Sequence, residues 1–159
     1  MRKYYPYPTR DPIKDYFPLP NEIRMLGLTP GEFTVYSYLM QCEDRKTHQC
    51  YPSYRTISEN VHLSKNTVRK HICSLVEKRL ITVEHTTIVT KSGQKRNGTL
   101  LYTIRPIEEA IRYRAEQQMA KAEGVTEELK AKSPMDWVGR MNNIRSRAEE
   151  VILADLIYV

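Results

Sequence analysis

The segment SKNTVRKHICSLV, from Ser64 to Val76, places Lys65, Asn66, Arg69, Lys70 and Cys73 on one side of a helix and Val68, Ile72, Leu75 and Val76 on the other. At about 100° per residue the polar group spans an arc of roughly 140°. Guanidinium and ammonium groups suit the acceptors of guanine, and a side-chain amide suits adenine. A helix that enters a major groove by its N-terminal end presents its first two turns to base edges, which makes Asn66 and Arg69 the candidate base readers. Further on, KSGQKRNG carries Lys91, Gln94, Lys95, Arg96 and Asn97 without an acid. Such a tip fits a phosphate backbone or a minor groove, and it equally fits a solvated loop. Ser53 and Ser64 each stand where a helix starts. Their hydroxyls and the free amides behind them can hold phosphate, a role that competes with plain helix capping.

These groups need elements to hold them. Thr29-Pro30-Gly31-Glu32 has the form of a capping box with proline at the first helical position, and it predicts a helix to about Glu43 with Phe33, Tyr36, Leu39 and Met40 on its apolar face. Asp44 to Gln49 reads as a polar loop. Ser53 opens a short second helix to about Asn60, with Ile57 and Val61 apolar, and Ser64 opens the longer third, which ends before Leu80-Ile81. The segments ITVEHTTIVT and TLLYTI, rich in β-branched and aromatic residues, flank the basic tip and predict a β-hairpin. IEEAIRYRAEQQMAKAEG has acids at its start, cations later and glycine at its end, the signals of a helix. A polar stretch with Pro134 leads to a last helix from about Asn142 to Leu156, where Ile144, Ala148, Val151, Ile152 and Leu156 share a side.

The order helix, helix, tight turn, helix, hairpin predicts a mainly α fold with a small β-hairpin: a winged helix-turn-helix followed by C-terminal helices. The divisions are an extended arm over 1–20, with five prolines and four tyrosines, a DNA-binding domain over 21–106, and a helical segment over 107–159. The chain has 159 residues and a net charge of +6, and the charge is unevenly placed. Residues 1–106 hold 17 Lys and Arg against 9 acids, whereas 107–159 hold 8 against 10, so the basic excess belongs to the winged part. That distribution suits an acidic polymer as partner. No run approaches the roughly 18 to 20 apolar residues of a membrane span, and the start lacks a signal peptide's apolar stretch, so the expected place of action is the cytoplasm. Cys42, Cys50 and Cys73 are read as free thiols, and with His48 and His71 they repeat none of the paired spacings of a zinc site. Neither a metal nor a cofactor is expected. An enzyme is not expected either, since no nucleophile and base, paired carboxylates or phosphate loop stands out.

YPSYRTISENVHLSKNTVRKHICSLVEKRLI resembles the GntR-type winged-helix signature, with Pro-Ser near the second helix and Ser-x-x-Thr-Val-Arg opening the third. It is also similar to the helix-turn-helix and replication proteins of plasmids, phages and other mobile elements. The resemblance covers Tyr51 to Ile81, extended to Ile104 by the hairpin. It implies DNA contacts from Ser53, Arg55, Lys65, Asn66, Thr67 and Arg69, with Val68, Ile72 and Leu75 as core. Two positions depart from the pattern: Tyr54 replaces an acid, and Arg79 replaces the glycine after the third helix, which predicts a different helix ending because arginine tolerates the left-handed conformation poorly. The 53 residues after Pro106 are too few for the effector domain of a typical GntR-type regulator, so no small-molecule effector domain is expected. The tail instead resembles C-terminal helices that pair two subunits; packing back on its own domain is the alternative. The reading is a small sequence-specific regulator that binds double-stranded DNA as a homodimer. A replication initiator or accessory factor of a mobile element is the first alternative, and a winged-helix protein-interaction module the second.

Overall fold

In a computed structural model, which describes residues 16–89 and 93–157, Thr29 closes a complete capping box. Its Oγ1 accepts from the Glu32 amide at 3.3 Å, and the Glu32 carboxylate accepts from the Thr29 amide at 2.7 Å. Helix α1 (Pro30–Cys42) follows. Tyr36, Leu39 and Met40 are buried as the spacing predicts, but Phe33 is 41% exposed and Val35 takes the inward place instead. Before α1, a short 3-10 helix over Asn21–Leu26 buries Ile23 and Leu26.

Ser53 and Ser64 cap α2 (Tyr54–Val61) and α3 (Lys65–Glu77), each accepting from the amide three residues on at 3.1 Å. The turn between them is made by His62, left-handed at φ 55°, whose amide bonds the Ser58 carbonyl. Val68, Ile72 and Leu75 face the core, whereas Val76 is 39% exposed and leaves the predicted stripe. Contrary to the expectation at Arg79, α3 ends on a left-handed residue all the same. Arg79 has φ 60°, its amide bonds Val76 and the Leu80 amide bonds Leu75, each at 3.0 Å. The guanidinium lies 4.6 Å from the centre of the Tyr113 ring, an attraction that offsets part of the conformational cost.

Helices α1 and α3 meet closely. The His71 imidazole lies over Gly31, where a Cβ would stand 2.3 Å from Nε2 and would make the ring turn away. Glu32, 4% exposed, reaches across to accept from Ser74 Oγ and from Lys78 Nζ, the latter at 2.7 Å. Burial alone would raise the Glu32 carboxyl, but the Lys78, Ser74 and Thr29 donors outweigh it and hold it at about 2 instead of 4.5.

The hairpin comprises β2 (Ile81–Val89) and β3 (Lys95–Ile104), antiparallel with Ile81 opposite Ile104 and Val89 opposite Lys95. A third strand was not read from the sequence. Gln49–Cys50, placed in or beside a loop by its composition, forms β1 and pairs with Thr103 and Tyr102, giving the order β1-β3-β2. His85 pairs with Leu100 and Thr87 with Asn97, so β3 carries one extra residue at a bulge that re-aims the wing. The three helices and the sheet enclose Val35, Leu39, Ile57, Leu75, Leu80 and Tyr102.

Helix α4 (Ile107–Ala122) contributes Ile107 and Ala110 to that same core. Its far end joins a second cluster with Val125, Met141 and Ile144. Two elements here exceed the sequence reading. Thr126 caps a short α5 (Glu127–Lys132), and the last helix, α6 (Pro134–Ile157), begins at Pro134, eight residues before Asn142. Proline at a first helical position lacks only a donor that would be unused there, which is why it opens this helix. No described helix is long and apolar enough to cross a membrane.

Candidate nucleic-acid interface

The polar arc of α3 forms one wall of an open cleft of about 850 Å³, whose other wall is the β2–β3 wing. Ser53 and Tyr54 close one side, and Lys65, Asn66, Arg69 and Cys73 project from α3. Val83, His85, Asn97, Gly98, Thr99 and Leu100 line the sheet side. Among these residues none is acidic, so the cleft offers cations and neutral donors together. Burial raises the Tyr54 phenol, Cys73 adds to the rise and Arg69 opposes it, which puts all three in one electrostatic neighbourhood. A second depression of about 530 Å³ runs along α3 past Asn66, Arg69, Lys70 and Cys73 to Glu77.

Of the residues singled out in the sequence, Ser53, Lys65, Asn66, Arg69 and Asn97 meet in the cleft, and Lys70 adjoins it. Lys65, Asn66, Arg69 and Lys70 are all exposed, as a reading surface requires. Ser53 and Ser64 act as caps, and each hydroxyl also lies 2.8 Å from the threonine hydroxyl three residues on, Thr56 and Thr67 respectively. The Thr67 hydroxyl is thus engaged with Ser64. Arg55 stands apart: exposed on α2, it pairs with Glu59 at 2.7 Å and does not line the cleft. Gln94 is exposed at the wing tip. Lys91 lies outside the described residues, as do the arm over 1–15 and the side chains of Lys95 and Arg96, though the backbone of the last two is in β3.

Tyr54, His85 and Thr99 entered the cleft without being read from the sequence. For His85 a signal was present, since period-two alternation in ITVEHTTIVT puts it on one face with Val83. The Thr99 position depends on the bulge, for which the sequence offers only Gly98. Among the described residues no group of three His, Cys, Asp or Glu is placed to hold a metal ion. Cys42 and Cys73 are exposed and Cys50 buried, all as free thiols.

Comparison with known families gives two matches. A helix-turn-helix domain model matches residues 26–81, from the 3-10 helix to the start of β2. The model of a transposon-encoded protein, TnpV, matches residues 60–157, from the end of α2 to the end of α6. The chain belongs to the TnpV family of transposon-encoded proteins. The winged helix-turn-helix and the likeness to mobile-element proteins therefore stand, whereas neither matched family is the GntR type that Tyr51–Ile81 resembles. Among solved structures the chain is similar to a possible transcriptional regulator from Methanosarcina mazei Go1, at 22% identity and a TM-score of 0.41 over 68% of this chain and 82% of that one. It is also similar to a MarR family regulator from Neisseria meningitidis, at 18% identity and a TM-score of 0.34 over 86% and 84%. No curated protein matches. The helix-turn-helix is a DNA-binding motif, and the TnpV family match extends from it through every helix of the tail.

Proposed function

We propose that this transposon-encoded protein binds double-stranded DNA sequence-specifically and acts in the cytoplasm as a small transcriptional regulator. The observation that carries this reading is the acid-free cleft in which Lys65, Asn66 and Arg69 of α3 face the wing. In the proposed complex α3 enters the major groove by its N-terminal end, with Asn66 and Arg69 on base edges. Ser53, Ser64 and the amides at the starts of α2 and α3 hold phosphates, and Lys65, Lys70 and the wing cations add charge along the backbone. A helix-turn-helix unit reads few base pairs alone, so two copies on two half-sites are the natural arrangement. A surface for pairing is at hand in α6, where Ile144 and Ala148 are fully buried but Val151, on the next turn, is 45% exposed. The apolar stripe thus outruns its own cover, and a second α6 would complete it.

The test compares two substitutions on specific and random duplexes. Arg69→Ala costs about 1 to 3 kcal/mol on the specific site and relaxes preference at one base pair, while Lys95→Ala weakens all sequences alike and flattens the salt dependence. Equal losses on both duplexes from Arg69→Ala would remove the base-reading role.

A further inference from the structure

A pocket of about 490 Å³, with no lining residue in common with the cleft, opens where the stretch Pro18-Leu19-Pro20, the end of α1 and the start of α4 come together. Its walls are apolar: Tyr36 and Met40 from α1, Ile104 from β3 and Ile107 from α4. That volume is in the range of small-molecule sites, which are mostly apolar with a few polar groups that fix the ligand. Four polar side chains join the apolar walls, Glu43, His48, Arg105 and Glu108, and the one with a buried oxygen lacking a hydrogen bond is Glu43. Its side chain is only 8% exposed, it lines the pocket, and its Oε2 is buried with no hydrogen-bond partner.

A buried carboxylate oxygen without a donor is costly, and three features say what would satisfy it. His48 Nδ1 is 3.6 Å from Oε2, within ion-pair distance but beyond a hydrogen bond, and the imidazole is 62% exposed. Glu43 is the C-cap of α1, where the free carbonyls and the negative end of the helix dipole also attract a cation. The other charged groups that line the pocket give Glu43 Oε2 no hydrogen bond, since Arg105 is bonded by Glu109 at 2.9 Å and Glu108 is a second carboxylate. The start of α4 has amides that favour an anion, but its first-turn acids Glu108 and Glu109 oppose one.

We propose that this pocket is a binding site for a small amphipathic organic cation, its apolar body between Tyr36, Met40, Ile104 and Ile107 and its protonated amine on the Glu43 carboxylate. The site is separate from the DNA cleft and shares no lining residue with it. Isothermal titration of the full chain with 1-naphthylmethylamine, its neutral analogue 1-naphthalenemethanol and the anion 1-naphthoate tests the assignment. The amine is expected to bind saturably with one site per chain, at least about tenfold tighter than the alcohol, with the carboxylate weakest. Glu43→Gln keeps the shape, removes the charge and is expected to erase the preference for the amine over the alcohol. The ranking of the three probes on the unaltered protein decides the matter even if the variant folds poorly. Overturning results are no saturable binding of the amine, equal affinity for all three, tightest binding of the carboxylate, or an amine preference that survives in a folded Glu43→Gln.

Discussion

Replacing Glu32 with glutamine removes the charge that joins α1 to α3 while preserving the volume of the side chain. The carboxylate accepts from the Thr29 amide and Lys78 Nζ at 2.7 Å each, and from Ser74 Oγ. Glutamine keeps one acceptor oxygen and turns an amino group toward donors that then lose a partner. A buried hydrogen bond to a charged group contributes about 1.5 to 3 kcal/mol. The Lys78 side chain is 33% exposed and can turn into water, so its part stays near the surface value of up to about 1 kcal/mol. The net cost is then about 2 to 3 kcal/mol at neutral pH, or a fall in melting temperature of roughly 5 to 10 °C for a chain of this size. The dependence on pH follows from the depressed carboxyl. A folded value of about 2 against 4.5 means that Glu32 stabilises the fold fully above about pH 4.5 and loses this effect as the pH falls toward 2. Urea unfolding of both proteins at about pH 7 and about pH 3 measures it: the gap between midpoints is wide at the first and narrower at the second. Equal midpoints at about pH 7, or a gap that does not narrow, would refute the assignment of the link to an ionised Glu32.

Three further outcomes are expected. His62→Gly relieves a left-handed residue at φ 55° in the turn before α3 and should raise stability by about 0.5 to 1 kcal/mol in thermal melts; a lower melting temperature would show that the imidazole stabilises the turn. N-ethylmaleimide should abolish DNA binding through Cys73, which lines the cleft, and Cys73→Ala should resist the reagent; loss of binding in that variant too would place the sensitive thiol at Cys42, the other exposed cysteine. Val151→Glu should reduce the mass measured by light scattering from a dimer to the 18.7 kDa chain, and an unchanged dimer mass would move the pairing surface off α6.

Features governed by neighbours in sequence were legible. Thr29, Ser53 and Ser64 each cap the helix their position announced, because a cap is decided within three residues. The Val68, Ile72 and Leu75 stripe follows from periodicity, as does the outward arc of α3 that forms one wall of the cleft, and the hairpin follows from two β-branched segments around a polar tip. What was missed depends on partners far along the chain. Gln49 and Cys50 are a strand only because Thr103 and Tyr102 lie beside them. Glu32 reads as a member of a capping box, and its ties to Ser74 and Lys78 span 42 and 46 residues. The sheet side of the cleft depends on the bulge in β3, and Arg79 takes a conformation its own side chain disfavours because Leu80 is fully buried on the next position and Tyr113 receives the guanidinium. Local preference gave way there to tertiary packing.

Whether the cleft between α3 and the wing reads DNA sequence is decided by passing a random-duplex library over the full protein at two salt concentrations and sequencing what is retained. Base reading by α3 predicts an enriched motif, arranged as two half-sites, that survives the higher salt. Salt-sensitive retention without enrichment, or no retention at all, would contradict it and leave the winged helix as a backbone-binding or protein-binding module.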